Sequence, residues 1–227
     1  MVTAGQPMEF LRQLDLVSPE TLDLPVHLIG CGGIGSFTAL LLSKMGCRHL
    51  RLYDPDGIEE HNLPNQLFRL SDVGRLKVEA LREILEEFAG APVEVHPVEV
   101  EAQRMTGVVI SGVDTMLARK AIWQRSIRYR AGVLRYLDAR MGAEVARIYT
   151  VKPADPDDIR FYEKSLYDDE EAEVLPCTAA AISYSGFAIA SLIGNLVKRL
   201  VTGEDLPREV LLDLKTLTLL TSSGGRS

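Results

Sequence analysis

The sequence predicts an α/β domain: a mostly parallel sheet with helices on both faces. Three observations predict it. Short apolar runs such as VHLI and GVVIS suit strands buried on both sides. Helical patterns alternate with these runs along the chain, and a glycine-rich turn joins the first run to the first helix. With 227 residues, the chain can bury one good core, or one domain with an appended subregion.

Taken in order, Met8 to Leu24 reads as an amphipathic N-terminal arm, with Ser18–Pro19–Glu20 resembling a helix start. Pro25 precedes VHLIG, a buried strand. GCGGIGS supplies the turn and FTALLLSKMG the helix, with Gly46 as its C-terminal stop. HLRLYD, His49 to Asp54, alternates and ends in acid as a second parallel strand would, completing a βαβ unit. The polar stretch PDGIEEHNLPNQLFRLSDVGRLK leads to a helical pattern from Lys77 to Phe88. PVEVHPVEVE alternates like a strand, and GVVISGVD is a buried strand ending on Asp114. TMLARKAIWQRSIRYRAG continues as a helix; VLRYLDARMG and EVARIYTV are further strands.

Lys152 to Leu175 breaks this alternation. It is rich in Pro, Asp and Glu and is expected to be a mobile loop. TAAAISYSGFAIASLIGNLVKRLVTG follows as a long apolar helix, VLLDLKTLTLL as one final strand, and TSSGGRS as a frayed tail. The expected organisation is an arm at 1–24, a domain at 25–220 containing the acidic loop near 152–176, and a flexible tail at 221–227.

Composition excludes several classes. No apolar run approaches the roughly 20 residues that span a bilayer, so no membrane partner is expected. The opening MVTAGQPMEFLRQLDL lacks the basic-then-apolar order of a secretory leader, which makes a cytoplasmic protein the expectation. A net charge of −7 argues against broad nucleic-acid binding. Cys31, Cys47 and Cys177 form no CxxC pair, which excludes a four-thiolate zinc site within one chain.

The chemistry centres on GCGGIG. Gly30, Gly32 and Gly35 make GxGxxG directly after a strand and at a helix start. Without side chains there, backbone N–H groups and the helix dipole can face a phosphate. Asp54, at the end of the next strand, stands where an acid meets a ribose hydroxyl. The alternative is a tight turn that binds nothing. Glycines alone do not distinguish NAD in an oxidoreductase from ATP.

The residues that follow do. GCGGIGS, YDPDGIEEHNLPNQ, DVGRLKVEA and SGVDTMLAR together resemble the ThiF/MoeB/HesA family, bacterial relatives of ubiquitin-activating enzymes, over roughly residues 25 to 142. The resemblance implies ATP-dependent, Mg²⁺-assisted adenylation of the C-terminal glycine of a small ubiquitin-like or sulfur-carrier (β-grasp) protein. By that resemblance Gly30, Gly32, Gly33 and Gly35 would cradle the nucleotide and Asp54 would accept from the ribose. Asp56 would lie near the metal or ribose, with Asn62 and Gln66 as polar pocket residues. Lys77 would contact phosphates, and Asp114 would hold Mg²⁺.

Each has a plainer alternative. Lys77 would be a solvated lysine at a helix start, Asp114 an N-cap for the following helix, and Asn62 a turn residue. Arg119, five residues after Asp114, is expected to form a structural ion pair or orient that loop.

One position departs from the family pattern. Asn65 stands where an arginine usually precedes the Gln of the Asn-Leu segment. Arg69 resembles a second arginine of the ubiquitin-activating branch that would compensate. Arg12 of LRQLDL resembles the arm arginine that enters a neighbouring subunit's ATP site, which implies a homodimer. Cys177 is either an acceptor of the activated carrier as a thioester or a small residue packing the last helix. The missing CxxC pairs depart from zinc-binding members, so no zinc is expected. Two other readings remain: a catalytically degenerate subunit that binds nucleotide or carrier within a complex, and, more remotely, an NAD-dependent oxidoreductase.

Overall fold

The computed structural model describes residues 9–167 and 182–222. Among the described residues, eight strands form a single sheet in the order β3-β2-β1-β4-β5-β6-β7-β8. The strands are β1 (Val26–Ile29), β2 (Leu50–Tyr53), β3 (Val93–His96), β4 (Gly107–Ser111), β5 (Val133–Gly142), β6 (Val145–Val151), β7 (Glu209–Asp213) and β8 (Thr218–Ser222). Strands β3, β2, β1, β4 and β5 run parallel, and β6, β7 and β8 continue antiparallel. The chain winds from β1 outward to β3, then crosses back to β4 on the other side of β1. That reversal opens a crevice at the carboxyl ends of β1 and β4.

Helices α1 (Gly35–Met45), α2 (Lys77–Ala89) and α5 (Ser183–Val201) cover one face; α3 (Met116–Ile122) and α4 (Pro156–Glu163) cover the other. The two-residue period of the strands sorts side chains between them. Leu28, Val108, Ile110 and Leu137 pack with Leu42, Leu81 and Ile193. Ile29, Val109 and Tyr136 pack with Ile122, Trp123 and Tyr162 on the opposite side. Helix α1 ends as its sequence predicts, with Gly46 in the left-handed region at φ 101° and its N–H returned to Leu42 and Ser43.

Four expectations need correction. The arm is a series of turns rather than a helix. Its buried anchors, Val17 and Leu22, lie five apart, a spacing that a helix does not put on one face. PVEVHPVEVE is a strand only as far as His96, because Pro97 has no N–H for the ladder. Within the presumed acidic loop, residues Pro156–Glu163 form α4. Asp155 caps it by accepting from the amides of Asp157 and Asp158, Pro156 occupies its first turn, and Ile159 and Tyr162 point into the core. VLLDLKTLTLL is a hairpin rather than one strand. Asp213 Oδ1 accepts from the amides of Lys215 and Thr216, turning the chain between β7 and β8.

One buried group makes stability depend on pH. His27 is 1% exposed, and its Nδ1 lies 3.1 Å from the Tyr53 hydroxyl. Burial, aided by nearby Arg51, lowers its pKa from 6.5 to about 4. The unfolded chain therefore takes up a proton that the folded chain refuses between those values, and stability falls as pH drops through that window. The loss from this group is as much as about 3 kcal/mol. Urea denaturation at pH 7 and pH 4.5 should show a steep decline in the native protein. In His27→Gln the decline should be shallower.

Candidate active site

The crevice between β1 and β4 is a cleft of about 940 Å³, lined by Gly30, Gly32, Gly33, Asp54, Asp56, Asn62, Gln66, Lys77 and Asp114 among others. Thus nearly all the residues expected at a nucleotide site converge there. The turn is as tight as backbone contact allows. Gly30 has φ +88°, and a Cβ on it would stand 3.0 Å from the Gly112 carbonyl. A Cβ on Gly35 would stand 1.8 Å from the Gly30 carbonyl oxygen, so only glycine permits α1 to start so close under β1. Gly32 differs: its nearest neighbour would be Gln66 Nε2 at 3.7 Å, so it keeps the backbone open on the cleft side. Helix α1 carries no side-chain cap and no acid in its first turn. The turn that leads into it borders the cleft at Gly32 and Gly33, and the positive end of the helix dipole behind them favours an anion.

Asp54 and Lys77 form the second wall. Asp54 is buried, its Oδ2 accepting from the Cys31 amide at 2.7 Å and its Oδ1 from the Asp56 amide at 2.9 Å. Burial pushes its carboxyl up despite those amides and Lys77. The carboxylate thus pins the glycine turn to the strand beside it. Lys77 Nζ, 2.7 Å from Asp56 Oδ2 and 4.0 Å from Asp54 Oδ1, is 8% exposed. The lysine is held by two acids rather than solvated, and its amide also bonds to the Asp56 carbonyl at 3.0 Å.

The Asn-Leu segment is a 3₁₀ turn, Glu60–Asn65. Asn62 Oδ1 accepts from the Glu59 amide at 3.0 Å, so it shapes the turn while also lining the cleft. Ser36 Oγ accepts from the Leu67 amide at 3.0 Å and ties this segment to α1. Among the described residues, Asn65 Oδ1 and Gln66 Oε1 are buried without a hydrogen-bond partner. Such groups are costly unless something meets them.

Asp114 is exposed at the carboxyl end of β4 and borders the cleft. The capping alternative falls to its neighbour: Thr115 accepts from the Ala118 amide and is the cap of α3. The Asp114 carboxylate faces the cleft without that duty. Arg119 orients this loop, with Nη1 and Nη2 donating to the Val113 carbonyl at 3.0 and 2.7 Å. Arg69 and Arg12 are not brought in. Arg69 pairs with Glu87 on α2, Arg12 is exposed, and neither lines the cleft. Cys177 lies outside the described residues. Cys31 and Cys47 are buried, and burial raises both thiols, Cys47 to about 12, leaving them unreactive.

Sequence reasoning missed Glu59 and His61, which also line the cleft. It expected Arg119 to form an ion pair or orient its loop, but not that the partner would be Asp138, which depends on strand register. Among the described residues no group of three or more His, Cys, Asp or Glu side chains is spaced to hold a metal ion. No described helix is long and apolar enough to cross a membrane.

A glycine turn at the switch point of a doubly wound sheet, flanked by Asp54 and Asp114 beyond the ends of β2 and β4, defines the class: a Rossmann-like α/β domain with its site at the carboxyl edge. The chain belongs to the ThiF family, whose sequence pattern matches residues 20–223. It is 30% identical over 117 residues to ubiquitin-like modifier-activating enzyme 5 of Caenorhabditis elegans, covering 51% of this chain and 25% of that protein. It is 33% identical over 65 residues to tRNA threonylcarbamoyladenosine dehydratase 1 of Saccharomyces cerevisiae, covering 28% of this chain and 15% of that protein. The chain thus spans a quarter or less of the length of these two relatives.

Solved structures share the fold. MccB in complex with N-formylated MccA superimposes with a TM-score of 0.71 at 18% identity, covering 92% of this chain and 67% of that one. PaaA gives 0.69 at 21%, covering 90% and 74%. E. coli MccB has also been solved with AMPCPP and MccA, with a TM-score of 0.69 at 18% identity, covering 92% and 66%.

Proposed function

We propose that this chain binds ATP with Mg²⁺ in the switch-point cleft and adenylates the C-terminal carboxylate of a small ubiquitin-like or sulfur-carrier protein. The observation that carries this reading is the convergence of the open Gly32 backbone, Lys77 and Asp114 on one cleft. Together they suit a phosphate-bearing ligand: open backbone, a cation and a carboxylate able to share a metal.

The fit can be judged from the residues themselves. Gln66 lines the cleft, and its buried Oε1, unpaired among the described residues, suits a ligand that brings its own donor. Mg²⁺ is commonly held by one or two carboxylates together with substrate phosphates, and Asp114 supplies one. Bound there, the metal would neutralise charge between phosphate oxygens.

The chain's residues then position rather than attack. The glycine-turn backbone at Gly32 and Gly33, at the positive end of α1, holds phosphate oxygens, and Asp54 and Asp56 face the ribose side. Lys77, poised on Asp56, turns its charge toward the phosphates as charge builds up. The carrier carboxylate oxygen forms a bond to the α-phosphorus while the bond from that phosphorus to the β-phosphate bridging oxygen breaks. Acyl-adenylate and pyrophosphate result, and no protein nucleophile is consumed. A thioester at Cys177 would follow as a separate step, its sulfur bonding to the acyl carbon while the bond to AMP breaks and AMP and the thiol proton leave.

Asn65 favours a second reading, a subunit that binds nucleotide but lacks a phosphate-facing arginine, since Arg69 is committed to Glu87. Arg12, remote from its own cleft, would supply that charge only from a second copy, which makes a homodimer part of the active proposal.

Calorimetric titration separates ligand classes. ATP with Mg²⁺ should bind and NADH should not. Binding of NADH in preference to ATP would revive the oxidoreductase reading and end this one.

A further inference from the structure

Below the Asp114 loop, a buried carboxylate joins parts of the chain that the cleft does not connect. Asp138, on β5 opposite Ser111 of β4, is fully buried. Its Oδ1 lies 3.2 Å from Arg119 Nη1. Its Oδ2 accepts from Arg140 Nε at 2.8 Å and from the Tyr162 hydroxyl at 3.0 Å. Arg119 carries the connection upward through its two bonds to the Val113 carbonyl. Arg140 carries it sideways, donating to the Ser165 carbonyl at 2.9 Å and to Ser165 Oγ at 3.0 Å, with its guanidinium over the Tyr149 ring. One carboxylate thus meets two guanidinium groups, paired by charge with Arg119 and hydrogen-bonded to Arg140; the first grips the residue before Asp114 and the second the turn just beyond α4.

Stability alone is a weak reason for this cluster, because a buried ion pair seldom outperforms well-packed apolar residues. What apolar residues do not supply is direction. The planar guanidinium of Arg119 fixes where the Val113 carbonyl stands, and hence the backbone that carries Asp114.

We propose that Asp138 is a positioning residue: through Arg119 it sets the Asp114 loop, and through Arg140 it couples that loop to Ser165 at the end of α4. The inference rests on the adenylation reading for its catalytic consequence, but its structural content stands apart. Asp138 lies outside the cleft lining and acts only through its arginines. In the free protein the network keeps the loop in one arrangement, and a shift at the end of α4 is felt at Asp114.

The test uses the full chain and three variants, Asp138→Asn, Arg140→Lys and Ser165→Ala, with two readouts. The first is amide hydrogen exchange at residues 112–116 without nucleotide. Exchange there should quicken by about tenfold or more in Asp138→Asn, and measurably in Ser165→Ala, which never touches the loop. The second is ATP–pyrophosphate exchange. In Asp138→Asn, kcat should fall roughly 100-fold while the KM for ATP stays within about threefold, as expected when a metal-holding carboxylate is displaced.

Unchanged protection at 112–116 in folded Asp138→Asn would overturn the proposal, as would a loss confined to KM. Should Asp138→Asn not fold, Arg140→Lys and Ser165→Ala decide: faster exchange at 112–116 supports the coupling, and none refutes it. If the native protein shows no pyrophosphate exchange, the adenylation reading has failed, and the amide protection still judges Asp138.

Discussion

Gly35→Ala should lower the stability of the domain by at least about 3 kcal/mol, a melting temperature roughly 6–12 °C lower, and abolish nucleotide binding with it. The added methyl would lie 1.8 Å from the Gly30 carbonyl oxygen and 2.8 Å from its carbon. Both are backbone atoms and neither can swing aside. Relief requires α1 to slide from β1, and with it go α2 and α5, which pack on α1. Gly32→Ala makes the contrast. Its methyl meets only Gln66, at 3.7 and 4.0 Å, so melting should shift by less than about 1 kcal/mol equivalent. ATP affinity should nonetheless fall sharply, because the methyl stands where a phosphate must approach the backbone. Paired scanning calorimetry and ATP titration check both. Equal stability losses in the two variants would contradict the distinct roles assigned to them.

Lys77→Met should weaken ATP–Mg²⁺ binding by roughly 100-fold, on the order of 3 kcal/mol. The lysine is buried at the cleft wall and held within 2.7 Å of Asp56 and 4.0 Å of Asp54. Removing its charge also leaves Asp54 and Asp56 without their cation beside the ligand, so the loss combines a missing attraction with uncompensated negative charge nearby. Lys77→Arg should retain much of the affinity. Titration of both variants at constant salt measures the difference, and an unaltered dissociation constant in Lys77→Met would place the phosphates elsewhere.

Much of this architecture was legible from the sequence because it follows from local rules. The βαβ unit showed in the apolar runs, in the Gly-rich turn and in Gly46. The cleft showed because Gly32, Asp54 and Asp114 fall just beyond β1, β2 and β4, which lie side by side in the sheet, with Lys77 at the start of the helix that follows β2. Other features depend on what those rules leave open. Nothing local distinguishes one long strand from the β7–β8 hairpin except the Asp213 turn, whose side chain had to be seen accepting from Lys215 and Thr216. Helix α4 was hidden in an acidic composition, although Asp155 and Pro156 are an ordinary start signal and Ile159 and Tyr162 share one face. The bond from Thr115 to Ala118, rather than any from Asp114, came from a choice between adjacent capping residues. The Arg119–Asp138–Arg140 network needed the register that sets Ser111 beside Asp138, which no pattern in either strand announces.

Activation of a carboxylate with ATP is the chemistry we propose for this cleft. The most direct test is exchange of labelled pyrophosphate into ATP by the purified chain, using a β-grasp protein encoded beside its gene and Asp114→Ala as control. The account predicts exchange that depends on carrier and Mg²⁺ and is lost in Asp114→Ala, which would also show that Asn65 does not disable the site. ATP binding without exchange, across every carrier tried, would contradict it and identify the chain as a nucleotide-binding partner of an active subunit.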